Sequence, residues 1–147
     1  MSIIKIHEIS MAVKDLEETI KDYEKLGFKI EGRGGSPEPP VMAKFAGMMV
    51  GGVALGFMES TAPGSPIDRF IKRRGEGIFS LSLVVSDMDE AMNIFKAQGI
   101  EFVLDKPQEM SNYAVAGGKT YRKAKFNFAK PCKATHGVLW ELQEFQE

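Results

Sequence analysis

The sequence predicts an α+β fold in which two tandem βαβββ modules form a curved, cup-shaped mixed sheet with helices outside. Three observations predict it. Residues 9–30, ISMAVKDLEETIKDYEKLGFKI, lie over residues 81–102, LSLVVSDMDEAMNIFKAQGIEF, without a gap at a constant offset of 72. The matches fall where a strand, a helix cap, a helix face and a helix stop each need them, as in a duplicated supersecondary unit. Second, VMAKFAGMMV and VALGFMES flank a Gly-Gly pair, the pattern of a hairpin closed by a two-residue turn. Third, the opening and closing strands of both halves sort into one large apolar face and one small, polar face.

Each repeat opens as a strand and becomes a helix within two residues. Asp15 with Glu18, and Asp87 with Glu90, have capping-box spacing, so side chains cover free backbone donors of the first turn. Leu16, Ile20 and Tyr23 make one apolar stripe and Met88, Met92 and Phe95 the other, so each helix buries one face. Gly27 and Gly99 end the helices. Short strands are expected near Phe28–Gly32 and Ile100–Leu104, then a Pro/Gly-rich loop over Gly34–Pro40 in the first half and a longer loop in the second. The second half returns through TYRKAKFNFAK and GVLWELQEF, placing Gly56 and Glu141 at equivalent points at an offset of 85. Ser65-Pro66-Ile67-Asp68 starts a linker helix over 65–74 that Gly75 ends. The domain reading is one domain over 1–147, with modules 1–60 and 76–147.

The two faces locate the expected pocket. Ile9, Met11, Val13, Leu55, Phe57, Leu81, Leu83, Val85, Val138, Trp140 and Leu142 are large and apolar, and are expected beneath the helices. The other face carries Glu8, Ser10, Ala12, Ala54, Gly56, Met58, Ser80, Ser82, Val84, Leu139, Glu141 and Gln143. Runs of Ser, Ala and Gly suit a ligand cavity better than a solvated sheet face, which is usually rich in Lys, Thr and Glu. Alternation turns His7 away from Glu8, and hairpin pairing sets Lys44 with Leu55 and Phe57 rather than in the cup.

Composition bounds the function. Net charge of −1 gives no general attraction to nucleic acid or membrane. Tyr121, Phe126 and Phe128 read as strand core rather than a base-stacking platform. The single cysteine, Cys132, allows no intrachain disulfide and agrees with a reducing compartment. A cytoplasmic protein is expected, since no segment reads as a signal peptide or a membrane span. The run Lys119, Arg122, Lys123, Lys125, Lys130, Lys133 is either a solvated face or a grip for an anionic ligand such as a coenzyme A thioester.

Paired βαβββ modules with these motifs resemble the vicinal oxygen chelate superfamily, which includes glyoxalase I, methylmalonyl-CoA epimerase, bleomycin-resistance proteins and extradiol dioxygenases. SPIDRFIKRRGEGI, LSLVVSDMDEAM and GVLWEL look most like the epimerase members. The resemblance implies a homodimer, and in metal-dependent members a divalent ion held by the first and last strands of each module. Those positions here are Glu8, Gly56, Ser80 and Glu141. Only Glu141 is a ligand type the family typically places there; glycine offers no side chain, and neutral serine is a poor ligand for transition metals. The epimerase-type carboxylate base also has no counterpart in VMAKFAGMMV.

The expectation is therefore a small-molecule-binding protein without cofactor, with a weak divalent-ion site at Glu8 and Glu141 as the variant form. Ser10, Gly56, Met58, Ser80, Ser82, Gln143 and Arg122 are its expected ligand contacts. The alternative is an isomerase or lyase in which Glu8 and Glu141 serve as acid and base, two carboxylates that cannot both ionise cheaply if they face each other.

Overall fold

The computed structural model describes residues 1–115 and 118–147. Eight strands and three helices follow in the order β1 (Ile3–Ala12), α1 (Leu16–Lys25), β2 (Gly32–Ser36), β3 (Ala43–Val50), β4 (Val53–Ser60), α2 (Pro66–Arg74), β5 (Gly77–Val85), α3 (Met88–Ala97), β6 (Gln108–Ala114), β7 (Thr120–Ala129) and β8 (Leu139–Gln146). The strands form one mixed sheet in the order β2-β3-β4-β1-β5-β8-β7-β6, so the fold is α+β. Two compact units divide the chain: an N-terminal unit, Ile9–Phe79, and a C-terminal unit, Met1–Glu8 with Ser80–Glu147.

In the N-terminal unit, the Asp15 carboxylate accepts from the Glu18 amide and Gly27 follows the helix at φ 94°. The β3–β4 hairpin closes through Gly51-Gly52, with Val50 opposite Val53. Helix α1 buries Leu16 and Ile20 against Val13, Ala46 and Phe57. Helix α2, capped by Ser65 and stopped by Gly75, packs Ile67, Phe70 and Ile71 on Ala12, Ala43 and Met58. Ala43 and Met58 alternate with Ala46 and Phe57, so the two helices take opposite faces of these strands.

The C-terminal unit repeats the first pattern. Asp87 accepts from the Glu90 amide, and Gly99 ends α3 at φ 79°. Met88, Ala91 and Met92 pack on Leu83, Val85, Ala129 and Leu142. Strand β8 runs parallel to β5, with Ser82 opposite Glu141 and Val84 opposite Gln143, and antiparallel to β7, with Phe128 opposite Glu141.

Two expected strands are corrected. Phe28–Glu31 is irregular, and the pairing strand is β2, which starts at Gly32, the last residue of the expected strand, and runs on into the segment expected to be a loop. Likewise Ile100–Leu104 makes only a single bridge, Phe102 to Ala129, while β6 forms in the expected long loop. The reason is the same in both halves. Ile30 in one, and Ile100 and Phe102 in the other, are used to plug the helix–sheet core, so their segments follow the helix instead of pairing along their length.

The capping boxes also differ in one half of their bonds. The amide of the first helical residue is taken by a carboxylate from the closing strand: Leu16 N donates to Glu59 Oε1 at 2.9 Å, and Met88 N to Glu144 Oε2 at 2.7 Å. Glu59 and Glu144 are themselves a repeat pair at an offset of 85. A helix start is electropositive and short of acceptors, so a buttressing carboxylate serves it twice.

Candidate functional site

The polar face of the C-terminal unit gathers the chemistry. Alternation along β8 puts Glu141, Gln143 and Phe145 on the side away from α3, because Leu142 is fully buried under that helix. Ser82, directly opposite Glu141 on β5, donates from Oγ to Glu141 Oε2 at 2.5 Å. Gln143 also hydrogen-bonds the Glu141 side chain. Its amide nitrogen is the donor to a carboxylate, which leaves Oε1 as an acceptor. That oxygen is buried and has no partner among the described residues. Ser80, Ser82 and Gln143 are all buried, whereas Glu141 keeps some accessible surface.

Burial pushes the Glu141 carboxyl above the usual carboxylate range, and the bonds from Ser82 and Gln143 offset part of this. Tyr113, on β6, is raised to about 12 by burial and by the nearby carboxylates of Glu141 and Glu8. Its phenol is a proton-bearing donor throughout the physiological range. Its ring stacks on Phe145 at 5.9 Å and tilts against Phe126 at 5.8 Å, while Tyr121 stacks on the same Phe145 at 4.6 Å.

His7 corrects the alternation argument. Its ring meets Phe145 edge-on at 5.2 Å, on the Glu141 side, and burial with help from Lys5 lowers its pKa. Strand β1 buries His7, Ser10 and Ala12, a spacing of three and then two, so its facing is not a simple alternation. His7 Nδ1 is a second buried polar atom without a partner among the described residues.

Of the sequence-expected residues, this unit therefore brings together Glu8, Ser80, Ser82, Glu141 and Gln143. Arg122 is exposed on β7 and donates to the Glu147 carbonyl at 3.1 Å. The basic run is tied to carboxylates of its own unit: Lys119 to Glu147, Lys123 to Glu109, Lys125 to Asp89 and Lys130 to Glu101. In the N-terminal unit, Ser10 and Gly56 are buried and Met58 packs beside α2. Lys44 lies on the α1 side, as expected, where it pairs with Glu59 at 2.7 Å.

Tyr113, Tyr121, Phe145 and His7 were not among the expected contacts. Tyr113 sits on the strand taken for a loop; counting β6 back from β7 by hairpin register would have exposed it, since Tyr113 lies opposite Tyr121.

A family model described as Glyoxalase/Bleomycin resistance protein/Dioxygenase superfamily matches residues 7–117. The chain belongs to this superfamily. Among solved structures, methylmalonyl-CoA epimerase from Mycobacterium tuberculosis aligns with a TM-score of 0.77 at 24% identity, covering 99% of this chain and 90% of that one. A hypothetical protein from Bacillus halodurans C-125 gives 0.76 at 28% identity over 97% and 95% of the two chains. A variant methylmalonyl-CoA epimerase from Streptomyces coelicolor gives 0.74 at 23% identity over 99% and 100%. No curated protein matches. No helix among the described residues is long and apolar enough to cross a membrane.

The superfamily's usual metal does not fit the residues present. Gly56 offers no ligand, Ser80 offers only a neutral hydroxyl, and Glu141 is engaged by Ser82 and Gln143 with its proton affinity raised. Among the described residues no three His, Cys, Asp or Glu side chains group as a metal would need.

Proposed function

We propose that this superfamily member binds a small organic molecule on the polar face of its C-terminal unit without a divalent metal. The observation that carries the reading is the engagement of Glu141, the only ligand-type side chain matching the family's preference, by Ser82 and Gln143. A carboxyl already satisfied by protein donors, with its charged form disfavoured by burial, is a poor metal ligand and a good hydrogen-bonding partner. Metal analysis of protein purified without a histidine tag should find less than stoichiometric Zn, Ni, Co or Fe. A thermal-shift screen of acyl-CoAs, glutathione adducts and aromatic acids and alcohols should reveal a stabilising ligand by mass action. Stoichiometric transition metal, or no stabilising compound, ends the proposal.

A second reading is supported by the raised Glu141 carboxyl. An isomerase or lyase needs a proton donor and a proton acceptor; burial favours the protonated form of Glu141, and Glu8 is the second carboxyl near Tyr113. The solved neighbours include methylmalonyl-CoA epimerases, so methylmalonyl-CoA is the first substrate to assay. Turnover should fall at least about 100-fold in Glu8→Gln and Glu141→Gln, the scale of general acid–base catalysis. Turnover unchanged in either variant eliminates the acid/base pair.

A further inference from the structure

The orphan atoms of the C-terminal unit narrow the class of ligand. Gln143 Oε1 and His7 Nδ1 lie in side chains 2% and 6% exposed, and neither has a partner among the described residues. A buried unpaired acceptor costs free energy until a donor meets it, so Oε1 favours a ligand that brings an O–H or N–H. Anions are disfavoured by the same surroundings. Glu8 lies near Tyr113, and the basic residues Lys119, Lys123, Lys125 and Lys130 are paired with other carboxylates. The apolar part of a ligand here meets flat rings: Tyr113 contacts both Phe126 and Phe145, and Phe126 stands opposite Gln143 across β7 and β8.

Resting on the binding reading above, we propose that this unit selects a planar ring bearing a neutral hydroxyl, which donates to Gln143 Oε1, over carboxylates, phosphates and acyl-CoA thioesters. The discriminating group is Gln143. A site built to pair a ligand hydroxyl rejects the analogue that lacks it, because its own acceptor then stays unpaired. The first half of the chain has Met58 at the equivalent place, which can offer no such acceptor.

The test is calorimetric titration at neutral pH with 4-ethylphenol, 4-ethylanisole, 4-ethylbenzoate and propionyl-CoA. The phenol should bind about 10-fold or more tightly than its methyl ether. Both anionic probes should bind more weakly than the phenol. In Gln143→Met the gap between phenol and ether should close while ether binding is retained. Tighter binding of 4-ethylbenzoate or propionyl-CoA overturns this inference and leaves the ligand-binding reading standing. A phenol preference that survives in Gln143→Met overturns the assignment to Gln143. Failure of all four probes, together with an empty thermal-shift screen, removes both readings. If Gln143→Met does not fold, the wild-type ranking of phenol against ether and benzoate decides.

Discussion

The two halves of the chain share one register and differ in what they hang on it. Across β7, β8 and β5 of the C-terminal unit, Phe128, Glu141 and Ser82 stand in one row. In the N-terminal unit the equivalent places are Gly47 on β3, Gly56 on β4 and, at the offset of 72, Ser10 on β1. Register, not composition, makes these rows equivalent: Gly47 opposes Gly56 as Phe128 opposes Glu141. One row carries an aromatic ring, a carboxyl and a hydroxyl. The other keeps the serine but has bare backbone in place of the ring and the carboxyl, packed so closely that a Cβ on Gly47 would stand 2.7 Å from the Leu55 carbonyl oxygen. Duplication preserved the scaffold that positions side chains, and divergence left the chemistry on one side of it.

The strongest way to break this comparison is at the shared core. Phe57 and Leu142 are repeat partners, each fully buried between its sheet and its helix. Truncation to alanine should cost about 3–5 kcal/mol at Phe57 and about 2–5 kcal/mol at Leu142, read by urea denaturation. A cost below about 1 kcal/mol at either position would show that the two cores are not built alike.

How much of this was legible in the sequence follows from which interactions are local. Helix limits could be read because Asp15, Asp87, Gly27 and Gly99 act within a turn of where they stand. The hairpin was legible because Gly51-Gly52 dictates its own turn. Strands β2 and β6 were not, since GRGGS has little intrinsic β-preference and each strand is an outer member of the sheet, held by one neighbour. Alternation and duplication put Ser82, Glu141 and Gln143 on one face, and the register of β5 and β8 does the same. The aromatic wall was missed because Tyr113 lies on such an outer strand and His7 on a strand whose facing is irregular. Glu59 and Glu144 were visible as a repeat pair, but their bonds to the helix starts join residues 43 and 56 positions apart, which no local pattern announces.

Those helix-start bonds give the intermediate test. Replacing Glu144 by Ala leaves the Met88 amide without its acceptor and should cost about 1 kcal/mol. The same change at Glu59 strips the Leu16 amide and also unpairs Lys44. Glu59→Ala should therefore be the more damaging of the two, and the excess should vanish when both are compared in a Lys44→Met background. Equal costs in the wild-type background would mean that the Lys44 pair is irrelevant to stability.

The smallest expected effect is a pair of opposing pH dependences confined to the C-terminal unit. Burial lowers the His7 pKa, so its contribution is complete above the usual 6.5 and is lost as pH falls through 6.5 toward the lower native value. Burial raises the Glu141 pKa, so the native state binds its proton more tightly than the unfolded chain; that contribution is present below the usual 4.5 and is lost as pH rises toward the native value. Acidification thus weakens the fold through one group and strengthens it through the other. Urea midpoints measured from pH 4.5 to 8 should separate them. His7→Phe should gain on the wild type as pH falls below neutrality, keeping the ring contact with Phe145 while removing the titration. Glu141→Gln should gain on the wild type as pH rises from 4.5, because an amide cannot be deprotonated. Parallel curves for wild type and either variant would show that the substituted group carries no pH-dependent stability.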